Sequence, residues 1–237
     1  MLNRKKLIIG CALALACHSA AAVDGVIEIS AVCVDLNEGC FAGDSAGLPV
    51  TITEPGSYRL TTNLSTSSTS VDIIEINADN VTLDLNGFTI QGPAECTISG
   101  GSTNCTSTGT GNAIDVNGDR VSIENGTIVG AAADGIMAAG SFSDLRVANL
   151  TVRGCGSDGI LAAASGSIRD SVFAANGAVG INVGFGGTYV RDTVSYGNGD
   201  SGQFGGFCSN NVYYSNDASP EVFCNQVGTN LCGTTPC

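Results

Sequence analysis

Asn112-Ala113-Ile114, Asp134-Gly135-Ile136, Asp158-Gly159-Ile160, Val179-Gly180-Ile181 and Ser201-Gly202-Gln203 are five versions of one phrase, spaced 22, 24, 21 and 22 residues apart. A second landmark keeps step with them: Asn125, Asn149, Asp170, Asp192 and Asn210, each just ahead of a short apolar, β-prone run. A period in the low twenties, made of short strands punctuated by Gly, Asn and Asp, means one structural repeat per period, each burying its apolar face against the next. Ile114, Ile136, Ile160 and Ile181 fall in one column, and Ile123, Val147, Ile168 and Val190 in another. No segment has a helical period long enough to cover a sheet, so successive coils must pair in parallel, at ~4.8 Å per strand. Right-handed winding is the default for such connections. The spacing predicts an all-β fold: a single-stranded right-handed parallel β-helix of about six coils, 21–24 residues each, with almost no helix.

Working outward, Asp72 to Gly92 reads as the first full coil, with period-two alternation through Ile73-Ile74-Glu75-Ile76 and Val81-Thr82-Leu83-Asp84-Leu85 before Asn86-Gly87. Between it and Asn112 lies an insertion, 93–110, rich in Gly, Ser and Thr. Insertions in repeats map to loops on one face, often the binding face, so this is the first place to look for a ligand. Residues 23–70, with Val26-Ile27-Glu28-Ile29, Pro49 to Thr53 and Tyr58-Arg59-Leu60, are expected to form an N-terminal cap and the first strands. The repeats occupy 71–216. Past Ser201 the pattern decays: Gln203 stands in the isoleucine column, and Phe204, Phe207, Tyr213 and Tyr214 add bulk expected to plug the core. Residues 217–237 read as a C-terminal cap.

Residues 1–22 are expected to be a signal peptide: Arg4, Lys5 and Lys6 precede an apolar run from Leu7 to Ala16, and Ser19-Ala20-Ala21-Ala22 offers a cleavage site. That run is too short for a membrane anchor. Leu15-Ala16-Cys17 loosely resembles a lipid-attachment box, but Ala14 stands where such boxes carry Leu, so a lipoprotein is the lesser reading. The expected location is periplasmic or extracellular. Without the leader the chain keeps six Arg, 22 carboxylates, no Lys and no His, a formal charge of 6 − 22 = −16. Nucleic acid and anionic membrane surfaces are poor partners on that balance, and calcium or a cationic surface fits better. Nine cysteines remain, in an oxidising compartment. Sequence proximity suggests Cys33–Cys40, Cys96–Cys105, Cys208–Cys224 and Cys232–Cys237 as disulfides, leaving Cys155 inside a repeat as a small apolar turn residue.

The runs Pro55-Gly56-Ser57-Tyr58-Arg59-Leu60, Asn80-Val81-Thr82-Leu83-Asp84-Leu85-Asn86-Gly87-Phe88-Thr89-Ile90 and Val227-Gly228-Thr229-Asn230-Leu231-Cys232 resemble those of bacterial exported right-handed parallel β-helix proteins. The wider superfamily is pectate-lyase-like in shape. It includes polysaccharide lyases, glycoside hydrolases, phage tailspikes, adhesins and calcium-binding epimerases. The resemblance implies a fold and leaves the activity open.

Three constellations are candidates for chemistry. The ladder Asn86, Asn125, Asn149, Asp170, Asp192, Asn210 reads as stacked amides bracing turns. Asp134 and Asp158 open adjacent coils, and two carboxylates one coil apart match the ~5–5.5 Å separation of retaining glycosidases. A calcium ion between them is an intermediate reading, and turn-capping aspartates are the plain one. Arg169 and Arg191 directly precede ladder aspartates, with Arg146 one coil earlier and out of register. Lyases that the chain resembles use an arginine as base beside calcium. Cross-coil ion pairs Arg169–Asp192 and Arg191–Asp170 are the structural alternative. The hydrolase relatives need a histidine that this chain lacks beyond the leader. The leading expectation is a non-catalytic envelope or extracellular module that contacts a polysaccharide or cell-surface component, with no membrane span. The alternative is a calcium-dependent lyase of acidic polysaccharide using Asp134, Asp158, Arg169 and Arg191. The short solenoid favours a monomer over a tailspike-like trimer, and no regular outward threonine column supports ice binding.

Overall fold

The computed structural model describes residues 25–35, 39–140, 143–163, 165–217 and 222–237; the expected leader 1–22, with Cys17 and His18, lies outside them. The chain is nearly all β, 49% strand and 2% helix. A continuous hydrogen-bonded network joins 21 strands and resolves into three parallel ladders. The first runs through Val50–Ile52, Ile74–Ile76, Ile114–Val116, Ile136–Ala138, Ile160–Ala162 and the starts of Ile181–Arg191, Gln203–Ser209 and Val222–Gln226. The second joins Val26–Ile29, Gly56–Leu60, Val81–Asp84, the first halves of Ser122–Val129 and Leu145–Arg153, then Gly166–Arg169 and the later part of Ile181–Arg191. The third joins Thr89–Gln91, the second halves of the two long strands, Val172–Ala174, Val194–Tyr196, Val212–Tyr214 and Leu231–Cys232.

Each strand thus pairs with its counterpart one repeat away, and the register follows from the alternation of apolar residues. Ile74, Ile114, Ile136, Ile160 and Ile181 are direct neighbours in one buried row. Leu83, Ile123, Val147, Ile168 and Val190 form the second buried row. Slipping any strand by one residue would turn its isoleucine out to water and lose about 1.5–3 kcal/mol per side chain. Tyr213 and Gln203 join this core as a pair, with the Tyr213 hydroxyl donating to Gln203 Oε1. Of the four bulky residues expected to plug the core, Tyr213 does so. Phe207 and Tyr214 face outward because they occupy the other phase of the alternation.

Between ladders the chain bends through residues of left-handed backbone. Asn86, Asn125, Asn149, Asp170, Asp192 and Asn210 have φ between 51° and 62°, a region that costs most L-residues ~1–2 kcal/mol and that Asn and Asp tolerate. Their recurrence is conformational first: Asn125 and Asn149 share one side-chain hydrogen bond, Nδ2 of Asn149 donating to Oδ1 of Asn125 at 3.2 Å.

Among the described residues helix is confined to Ala31–Asp35, which carries Cys33 of the Cys33–Cys40 disulfide. The other disulfides are Cys96–Cys105, Cys208–Cys224 and Cys232–Cys237, and Cys155 is a buried free thiol. The insertion 93–110 departs from the expected loop. It forms an antiparallel hairpin, Glu95–Ser99 with Ser102–Thr106, laid over the bends that follow the third ladder. Thr103 Oγ1 donates to the Gly197 carbonyl and Thr103 N–H to the Asp217 carboxylate, while the Cys96 sulfur sits 3.2 Å from the Gly154 carbonyl. Glycine permits this approach: a Cβ on Gly177 would lie 2.3 Å from the Gly156 carbonyl and 3.0 Å from the Cys105 sulfur.

Candidate functional site

Asp134 and Asp158 are 4% and 5% exposed. They belong to a column in which each side chain caps the next repeat. Asn112 N–H donates to Asp72 Oδ1, Asp134 N–H to Asn112 Oδ1, Asp158 N–H to Asp134 Oδ1 and Val179 N–H to Asp158 Oδ1. Asp158 Oδ2 accepts from Asn182 Nδ2 at 2.8 Å. Burial pushes both carboxyls above the ordinary range, partly offset at Asp134 by Ser157 and the Asp158 N–H, and at Asp158 by Asn182 and the Val179 N–H. Carboxylates committed to backbone donors and shut from solvent cannot flank a polysaccharide bond. Little is left for a calcium ion, because Asp134 Oδ1 and both oxygens of Asp158 already accept from N–H groups. The Cys155 thiol, buried and pushed up to about 12, is no nucleophile.

Arg169 and Arg191 are direct neighbours on adjacent strands. Each pairs with the aspartate that follows it, Arg169 with Asp170 and Arg191 with Asp192, both at 2.6 Å, in place of the cross-repeat partners expected. The left-handed residue at the bend keeps its own carboxylate beside the preceding guanidinium. With side chains 40% and 45% exposed, these arginines have none of the desolvation a guanidine base requires.

The structure opens elsewhere on the same outer face. Two adjoining cavities, of about 290 and 210 Å³, share Asp144 and Arg146. Ser165, Gly166, Ser167 and Gly187 complete the first; Thr82, Arg120, Val121 and Ser122 complete the second. Their floor is one outward row of the second ladder, in which Thr82, Ser122, Arg146, Ser167, Tyr189 and Phe207 are successive neighbours. The rim is a bend column, where Arg120 and Asp144 hold φ of 57° and 59°. The hollow exists because the repeat that follows puts Gly166 against Leu145, where a Cβ would come within 2.0 Å of the Leu145 carbonyl.

Arg146 is the unusual member. Arg59, Arg120, Arg169 and Arg191 each pair with an aspartate, whereas Arg146 and Arg153 have no ion pair among the described residues. An exposed, unpaired guanidinium between hydroxyls offers forked donors to a carboxylate or sulfate. In the sequence Arg146 stands out of register with Arg169 and Arg191, and the groove around it does not show. The available signal was local: Arg169 and Arg191 are followed by Asp, and Arg146 by Val147.

No protein-family model matches the chain, and neither a curated protein nor a solved structure does. No helix among the described residues is long and apolar enough to cross a membrane.

Proposed function

We propose that this chain is an exported, non-catalytic module that binds glycans carrying a carboxylate or sulfate, along the groove around Arg146. In this reading residues 1–22 are its signal peptide, and the three ladders wind as a right-handed parallel β-helix between caps at 23–70 and 217–237. The observation that carries the proposal is the unpaired Arg146 in the middle of a row of hydroxyls that runs on to Tyr189 and Phe207. Arginine would take the anionic group, Thr82, Ser122 and Ser167 would exchange hydrogen bonds with sugar hydroxyls, and the aromatic pair would offer apolar area. Arginine supplies positive charge only where needed, in a chain whose net charge would otherwise repel an acidic polymer. Four disulfides suit the export this reading requires. The lyase alternative lacks a supporting arrangement, since Asp134, Asp158, Arg169 and Arg191 are each committed to a partner.

Calorimetric titration with uronic-acid, sulfated and neutral oligosaccharides tests the proposal. Binding should be confined to the anionic ligands, and Arg146→Ala should weaken it about tenfold or more, the loss of one charge-assisted contact. Absence of binding, or equal binding by Arg146→Ala, would overturn it. Unsaturated products released in the presence of calcium would overturn its non-catalytic half.

A further inference from the structure

Exposed apolar side chains are concentrated at one end of the molecule. Seven large ones are exposed among the described residues, and five of these, Phe207, Tyr214, Phe223, Val227 and Leu231, lie in the last strands or just beyond one, at 36 to 55% exposure. The same end has shed its charge. From Val222 to Cys237 there is no Asp, Glu, Lys, Arg or His, while residues 23–221 carry all of the −16. The strand Val222–Gln226 hydrogen-bonds to Gln203–Ser209 along one edge and has no strand partner on its other edge among the described residues. Its pairing with Gln203–Ser209 carries a register shift between Phe204 and Phe207, but the strand itself holds neither a charged side chain nor a proline to guard the edge.

We propose that this end is a self-association face on which a second copy of the chain docks, Val222–Gln226 against its counterpart, antiparallel about a two-fold axis. Charge selects the occupant. Two molecules of −16 repel wherever their acidic surfaces meet, and the neutral end is where they can approach without that penalty. A cationic partner would be drawn to the acidic surfaces and gain nothing here. The edge is also self-complementary, because antiparallel pairing of one strand with its own copy satisfies both rows of backbone groups and closes after two subunits. Phe204 and Phe223, register partners on adjacent strands with their rings tilted at 56° and centroids 5.9 Å apart, show the packing that the next strand would continue. Phe207 is shared with the far end of the Arg146 row, but the strand Val222–Gln226 and its exposed Phe223 lie outside that row, so the dimer contact stands whether or not the groove binds a glycan.

Sedimentation equilibrium of the full chain across a concentration series reads the outcome directly. The mass should double as concentration rises, and added salt should shift the curve toward dimer by screening the like charges. Phe223→Glu and Val227→Asp alter exposed side chains, so the fold should persist by circular dichroism while the mass stays monomeric. A monomer at every concentration and salt would overturn the proposal. So would a dimer that survives both variants, one that salt dissolves, or an open-ended polymer.

Discussion

Asp134 shows how one residue supports two opposite readings until its partners are known. On paper it is half of a carboxylate pair; in the fold its Oδ1 accepts the Asp158 N–H at 2.8 Å. Asp134→Ala should strand that buried donor and destabilise the chain by about 1–3 kcal/mol, whereas Asp134→Asn keeps an acceptor and should cost far less in urea unfolding. The two variants also separate by pH. Burial raises the Asp134 carboxyl, so the folded chain holds its proton more tightly than the unfolded one. Stability must then fall as pH rises from about 4, the unfolded carboxylate value, through the raised folded one. Asp134→Asn escapes that loss and should gain on the parent between pH 4 and 7; a parent that gains on the variant would contradict the assignment. The identity of such residues was legible in sequence and their hydrogen bonds were not, because a carboxylate's role depends on which donors the fold delivers. Arg169 and Arg191 make the same point, each choosing its chain neighbour over the expected partner one repeat away.

The bends are where elements and ladders separate. The column Asn86 to Asn210, conspicuous in sequence, is a column of left-handed φ on the surface. The fully buried amides lie elsewhere. Asn176 N–H donates to Asn198 Oδ1 and Asn198 N–H to Asn216 Oδ1, with Asn198 Nδ2 reaching the Phe173 carbonyl and Ser195. A second set passes from the Thr193 N–H to Asn211 and from the Asn211 N–H to Asn230. Asn198→Ala should therefore cost roughly 2–4 kcal/mol, since several buried groups lose partners together, while Asn149→Gly should stay within about 0.5 kcal/mol because glycine accepts left-handed φ. Melting curves of the two variants check the contrast. Asn176-Gly177 and Asn198-Gly199 carry the same dipeptide as the surface bends Asn86-Gly87 and Asn125-Gly126, so the dipeptide alone does not tell the buried amides from the exposed ones. Similarly, the hairpin 93–110 read as a ligand loop from its composition. Its site is set by contacts as remote as Thr103 to Asp217, which no local pattern encodes.

At the scale of the whole molecule, charge and the periodic core govern behaviour. In residues 23–237 six arginines stand against 22 carboxylates, which makes the folded state self-repelling near neutral pH, and four of those arginines are already paired locally. The melting temperature should rise with added sodium chloride as this repulsion is screened; a fall would mean that surface ion pairs dominate. Chain length suggested a monomer, but length takes no account of which side chains face outward where the strands run out. The sequence by itself determined the period, the all-β class and the inward rows, such as Ile114–Ile136–Ile160–Ile181, because alternation and spacing specify which residues can bury together. It also specified the need for Asn, Asp and Gly at the bends, since backbone sterics act residue by residue. Only the tertiary structure decided that Asp134 and Asp158 are caps, that Arg146 is unpaired above a hollow, that the hairpin straps the glycine bends, and that exposed apolar side chains gather at the uncharged end. Those are properties of neighbours one or more repeats apart, and they arise only when the stacked strands bring them into contact.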